Sequence, residues 1–204
     1  DYLGRIADIK RISSICKTHN AVLIVDNAHG AYLRFLPESK HPIDLGADIC
    51  CDSAHKTLPV LTGGAYLHVS PKAPFYWVEQ AKNALAMFGS TSPSYLILAS
   101  LDLANNELEA VGNKVAVMAE RILEAKTYLQ EAGFGICDDE PLKITVCPKP
   151  KGMTGYEFAE HCENKGFVYE YADADHVVFM FSPNNSPLDP MRFADSVFCV
   201  DPKP

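Results

Sequence analysis

The feature that most constrains this chain is a short, unbroken apolar run, Ala21-Val22-Leu23-Ile24-Val25, stopped abruptly by Asp26. Five consecutive β-prone residues without polar alternation read as a strand buried on both faces of a parallel sheet. Just before it, Ile6, Ile9, Ile12 and Ile15 recur at spacing three behind Leu3, with Lys10, Arg11 and Lys17 between them. That is a helix with one apolar face, ending near His19-Asn20. A second run, Ile49-Cys50-Cys51, closes on Asp52 and leads into Ser53-Ala54-His55-Lys56-Thr57. Helix, buried strand and a polar residue at the strand's carboxyl end, with the strand motif repeated, place the chain in the α/β class.

Further along, Gly63-Gly64 opens a third strand, Ala65 to Val69. Pro71 and Pro74 punctuate a loop before a helix near Phe75 to Met87, and Gly89-Ser90-Thr91-Ser92-Pro93-Ser94 forms a turn. From Tyr95 to about Glu131 the apolar positions keep a period near 3.6 with only Gly112 interrupting, which predicts one long helix or two collinear ones. The remainder reads as strand Lys143 to Cys147, helix Thr154 to Lys165, strand Val177 to Phe181 and the start of a helix over Pro190 to Phe198. The expected organisation is an α/β portion over residues 1–130, including the long connecting helix, and a small α+β domain over 131–204. Three strands are few for a doubly wound sheet, and the first residue is Asp1 rather than Met. Residues 1–20 also lack the cationic head and apolar centre of a signal peptide. The expectation is a fragment or a processed chain.

Charge narrows the function. With 18 basic and 26 acidic residues the chain carries −8, which argues against a backbone-neutralising nucleic-acid binder, and no apolar run approaches a membrane span. Residues 1–130 hold 12 basic and 13 acidic residues, whereas 131–204 hold 6 and 13, so the excess sits in the final third. A solvated face is the plain reading there, and an attractive potential for a dibasic substrate the alternative. Seven cysteines, Cys16, Cys50, Cys51, Cys137, Cys147, Cys162 and Cys199, are odd in number, scattered and without C-x-x-C spacing. They predict buried small hydrophobes in a reducing cytoplasm, with neither a disulfide framework nor a zinc site. His41, His68, His161 and His176 show no ligand spacing and are expected in structural or surface roles. His29 reads as a turn residue, and Tyr32 and Phe88 as core.

Two polar strand ends carry the chemistry. If both strands are parallel, Asp26 and the Ser53-Ala54-His55-Lys56 segment lie at one carboxyl edge, where α/β folds hold ligands. A lysine in such a crevice is partly desolvated, and a desolvated amine is a nucleophile for a carbonyl. A buried Asp26 carboxylate needs a cation or donor. Together they are what pyridoxal 5'-phosphate requires: an amine for the Schiff base, and a carboxylate to keep the pyridine nitrogen protonated.

Val25-Asp26-Asn27-Ala28-His29-Gly30-Ala31-Tyr32, Leu45-Gly46-Ala47-Asp48, Asp52-Ser53-Ala54-His55-Lys56-Thr57-Leu58-Pro59-Val60-Leu61-Thr62 and Gly89-Ser90-Thr91-Ser92-Pro93-Ser94-Tyr95 occur in this order. This series resembles the pyridoxal-phosphate half of the bacterial ornithine/lysine/arginine decarboxylases, fold type I enzymes of the aspartate aminotransferase superfamily. The resemblance runs from about residue 1 to 105, and Glu170-Tyr171-Ala172-Asp173 through Phe181-Ser182-Pro183 is similar to the start of the family's small domain. It implies a mostly parallel-sheet large domain, and decarboxylation of ornithine, lysine or arginine to the amine and CO2. Lys56 is implied as the cofactor's lysine and Asp26 as the partner of the pyridinium nitrogen. The Ala28 methyl is implied against the ring, Ser53 and His55 on the phosphate, and His55 also as a proton donor near the substrate. Ser90 and Thr91 are implied to reach the phosphate of a neighbouring subunit, so that active sites are shared in a homodimer or larger assembly.

Thr62-Gly63-Gly64 departs from the family, many of whose members carry glutamine after the threonine. The family's upstream residues, which stack on the ring's other face and cup the phosphate, have no counterpart here. Two other readings stand beside the first. An aminotransferase or lyase of the same fold would show an arginine clamping the substrate carboxylate, for which the final third offers only Arg192. A catalytically silent truncated chain is the other.

Overall fold

The computed structural model describes residues 1–198, so Cys199 lies outside the described residues. The chain forms two compact units, one of residues 8–113 and one joining residues 1–7 to the chain from Lys114 onward.

In the first unit, α1 (Ile9–Thr18) starts where the Asp8 side chain accepts the Arg11 amide hydrogen at 3.0 Å, so the helix begins at a cap rather than at Asp1. It stops where Asn20 turns left-handed at φ 50°. Ser13 Oγ donates to the Gly46 carbonyl at 2.7 Å, and at Gly46, φ +101°, a Cβ would stand 2.5 Å from that hydroxyl. The helix and the loop entering the next strand therefore meet through a residue that has to be glycine.

β1 (Ile24–Asp26) runs parallel to β2 (Ile49–Asp52), with Asp26 beside Cys51, and β3 (Tyr66–Val69) runs antiparallel to β2. The expected mostly parallel sheet is, over the described residues, a three-stranded mixed sheet in the order β1-β2-β3. The reason lies in the connection. A parallel return needs a crossover, commonly a helix, whereas residues 53–65 contain a single 3-10 turn, Ala54–Lys56, and the chain simply reverses. β1 also corrects the expectation of burial on both faces. Ile24 is 66% exposed, Val22 is exposed and Asp26 lies in the open, because β1 is paired along one edge only among the described residues.

Beyond β3, α2 (Phe75–Ala84) continues into a π-turn, Leu85–Gly89, and α3 (Tyr95–Asn105) is separated from α4 (Leu108–Glu131). The long helix is thus two, and it breaks at Asn106-Glu107, not at Gly112, whose missing Cβ instead faces Phe35.

The second unit holds the four-stranded antiparallel sheet β4-β5-β7-β6: β4 (Gly135–Ile136), β5 (Lys143–Cys147), β6 (Tyr171–Ala172) and β7 (Val177–Met180). Val115, Met118, Ile122, Ala125 and Leu129 make a buried stripe along α4 at spacings of three and four. α5 (Gly155–Asn164) opens on a capping box between Thr154 and Glu157, and buries Phe158 and Cys162. With α6 (Asp189–Phe198), Phe193 packs its ring 4.3 Å from that of Phe179. Two ion pairs are enclosed here, Lys143 with Glu140 at 2.9 Å and Lys126 with Asp138 at 2.8 Å. Of the six described cysteines, Cys50 and Cys162 are buried as expected, while Cys51 is exposed and Cys16, Cys137 and Cys147 are half-buried. No helix of the described residues is long and apolar enough to cross a membrane.

Candidate active site

Because β1 and β2 are parallel and in register, Asp26 and Asp52 end at the same edge of the sheet. Asp26 Oδ1 accepts the Ala28 amide hydrogen at 3.1 Å, turning the chain into 27–30, and no cation pairs with it among the described residues. After β2 the 3-10 turn carries Ser53, His55 and Lys56. Lys56 is half-buried, and its Nζ donates to His29 Nε2 at 2.8 Å. The lysine is thus tied to the loop that follows Asp26, and His29 is more than a turn residue. His55 Nδ1 donates to the Gly64 carbonyl at 3.0 Å, and because a carbonyl only accepts, the proton sits on Nδ1 and Nε2 keeps its lone pair in the neutral ring. Ser53 leaves its hydroxyl out of the turn's capping, and the neighbouring Thr57 Oγ1 is buried without a hydrogen-bond partner.

Beneath this edge lies a network that the sequence reading missed. The buried Asp52 carboxylate accepts from His41 Nε2 at 3.0 Å, His68 Nε2 at 2.9 Å and Asn27 Nδ2 at 2.8 Å. Three segments, the β1 loop, the 31–45 connection and β3, are thereby fastened to the end of β2. Ile43 N donates to His41 Nδ1 at 3.4 Å, so His41 is the tautomer that offers a proton to Asp52. Burial pushes the Asp52 carboxyl upward, but the hydrogen bonds from His41, His68 and Asn27 outweigh it and hold the group well below the usual carboxylate range. Burial, with the Asp52 charge beside it, raises the Cys50 thiol far out of reach of ionisation. His41 and His68 are 27 residues apart in sequence; the usable signal was a charged residue ending an apolar run, which needs donors if it is buried.

Ser90 and Thr91 stand apart from this group. Both are exposed after the π-turn, where Ser90 Oγ accepts the Ser92 amide hydrogen at 3.0 Å, and neither bonds to Asp26, Ser53, His55 or Lys56. Next to them in sequence Met87, Phe88, Tyr95 and Leu96 are all largely exposed, as is Phe75 at the far end of α2. Phe88, expected in the core, is 84% exposed, whereas Tyr32 is fully buried.

A lysine and a carboxylate at one strand edge of an α/β unit, joined to an antiparallel α+β unit, define a class of fold, and the comparisons give the family. The model of the Orn/Lys/Arg decarboxylase major domain matches residues 1–135, and the chain belongs to this family. It is 27% identical over 213 residues to the arginine decarboxylase of Bacillus subtilis, covering 96% of this chain and 43% of that protein. A cystathionine beta-lyase of Lactococcus lactis subsp. cremoris is 48% identical over 173 residues, 81% of this chain and 43% of its own length. Among solved structures, the lysine decarboxylase LdcF of Francisella novicida superposes with a TM-score of 0.74 at 18% identity, over 96% of this chain and 34% of that one. The chain therefore spans less than half the length of these relatives.

Proposed function

We propose that this chain contributes the lysine side of a pyridoxal-phosphate site in an enzyme that decarboxylates a basic amino acid, ornithine, lysine or arginine. The observation that carries the reading is the half-buried Lys56 amine held by His29 at the strand edge that Asp26 shares. The donor set suits the cofactor. Asp26, unpaired with any cation among the described residues, is suited to the pyridinium nitrogen, Ala28 follows it in the turn, and Ser53 and His55 offer a hydroxyl and an imidazole for the phosphate. When bound, the cofactor supplies an electron sink for the bond broken as CO2 departs.

The protein's part is positional. His29 orients the Lys56 amine by accepting its hydrogen bond at Nε2. Asp26 holds a proton on the ring nitrogen by its negative charge. His55 Nε2, left over by the Nδ1 bond to Gly64, is placed to exchange a proton with substrate. Asp52 contributes by fixing Asn27 and β3, and so the loop that carries His29. Ser90 and Thr91, in an exposed apolar surround, serve the site of a neighbouring copy, and the exposed rings beside them are the contact surface.

The test is product analysis on the purified protein with each dibasic amino acid. Release of CO2 with the matching diamine or agmatine is expected. A second reading, a β-lyase of the same fold, has the Lactococcus match in its favour; cleavage of cystathionine without CO2 release would establish it instead.

A further inference from the structure

Two cysteines and a histidine that sequence spacing keeps apart meet in the antiparallel sheet of the second unit. Cys137 leaves β4 with its amide bonded to the Thr145 carbonyl at 3.1 Å, and Cys147 ends β5 opposite Gly135. The Val146–Val177 pairing brings His176 to the neighbouring position across β5 and β7. One ligand atom from each of Cys137, Cys147 and His176 lies within 4.8 Å of the others, and all three side chains are half-buried, within reach of an ion from solvent. From this juxtaposition we propose that Cys137, Cys147 and His176 form a binding site for a thiophilic divalent cation of the zinc class.

The ligand chemistry selects the ion. Two sulfurs and one imidazole are a soft donor set that favours zinc over magnesium or calcium, and leave a fourth tetrahedral position for water. The frame is already ordered. Asp173 Oδ1 accepts the amide hydrogens of Asp175 at 2.7 Å and His176 at 2.8 Å, and lies 3.4 Å from His176 Nδ1, so a carboxylate stands beside the imidazole, where metal-bound histidines commonly have one. A Cβ on Gly135 would press on Cys147 at 3.0 Å, so glycine leaves that side chain its room. A thiol gives up its proton when it binds such an ion. Binding one divalent cation releases two thiol protons to water, changes no oxidation state, and tightens as pH rises.

The experiment titrates the purified, fully reduced protein with Co2+ and then Zn2+. The expected result is one equivalent of Co2+ with a thiolate charge-transfer absorption that Zn2+ abolishes. In the unaltered protein, Zn2+ should also protect Cys137 and Cys147, but not the exposed Cys51, from alkylation mapped by peptide mass. Asp173→Asn should weaken the ion by about 10–100-fold while the circular dichroism stays unchanged. Absence of the charge-transfer band with the fold intact overturns the proposal. So does equal alkylation with and without Zn2+, or a Cys137–Cys147 disulfide persisting under reductant.

Discussion

Replacing Asp52 by asparagine tests whether one buried carboxylate holds the site's scaffold together. The wild-type carboxylate accepts hydrogen bonds from His41, His68 and Asn27 and a longer one from the Cys50 thiol at 3.6 Å, with both oxygens used. In Asp52→Asn one oxygen becomes an NH2 that faces donors. Breaking a buried charged network by removing one partner costs about 3–5 kcal/mol, and hydrogen bonds to charged groups are worth about 1.5–3 kcal/mol each. Because asparagine keeps one acceptor and the shape, a loss of about 2–3 kcal/mol is expected. At about 4–8 °C per kcal/mol for a small domain, the midpoint should fall by about 10 °C or more. Trp77, the only tryptophan, lies in the unit of residues 8–113, so its fluorescence during thermal or urea unfolding reports that unit. The pH dependence follows from the lowered carboxyl. Its contribution is fully present above the ordinary value of 3.8 and is lost as pH falls through the folded value, so variant and wild type should converge only in strong acid. A change within about 0.5 kcal/mol at neutral pH would refute the reasoning, since it is the size of an ordinary surface substitution.

Three other outcomes are expected. Burial raises Asp138 to about 6 from 3.8 against the pull of Lys126, so the folded second unit binds that proton more tightly than the unfolded chain. Stability should therefore fall as pH rises between about 4 and 6, and Asp138→Asn should flatten that slope in urea titrations followed by circular dichroism. In Gly155→Ala the new Cβ would overlap the Asp173 carbonyl oxygen and stand 2.8 Å from that of His176, costing about 1–3 kcal/mol in the same assay, with a wild-type midpoint as the contrary result. His29→Asn should lower the rate and move the pH-rate profile for cofactor attachment, while leaving the Trp77 unfolding midpoint within about 0.5 kcal/mol.

Much of the fold could be read directly because its signals are local. The apolar runs before Asp26 and Asp52, the α4 stripe and the Thr154 cap each depend on residues within a few positions of one another. Orientation was less legible. The reversal of β3 depends on the 53–65 connection forming a 3-10 turn and no crossover helix, and the exposure of Ile24 on how many neighbours β1 has. Neither is encoded in the strand's own pattern. At the site, Asp26 and Lys56 stood out as polar residues ending apolar runs. The His41–Asp52–His68 network, the His29 contact and the Cys137–Cys147–His176 cluster arise only from pairing between strands and loops, which spacing along the chain does not display.

The most direct test of the central claim is to incubate the protein with pyridoxal 5'-phosphate, reduce with borohydride and map the labelled peptide. The expected result is a visible absorption that reduction removes, with the pyridoxyl group on Lys56 and none in Lys56→Ala. Label distributed over exposed lysines, or undiminished in Lys56→Ala, would contradict it.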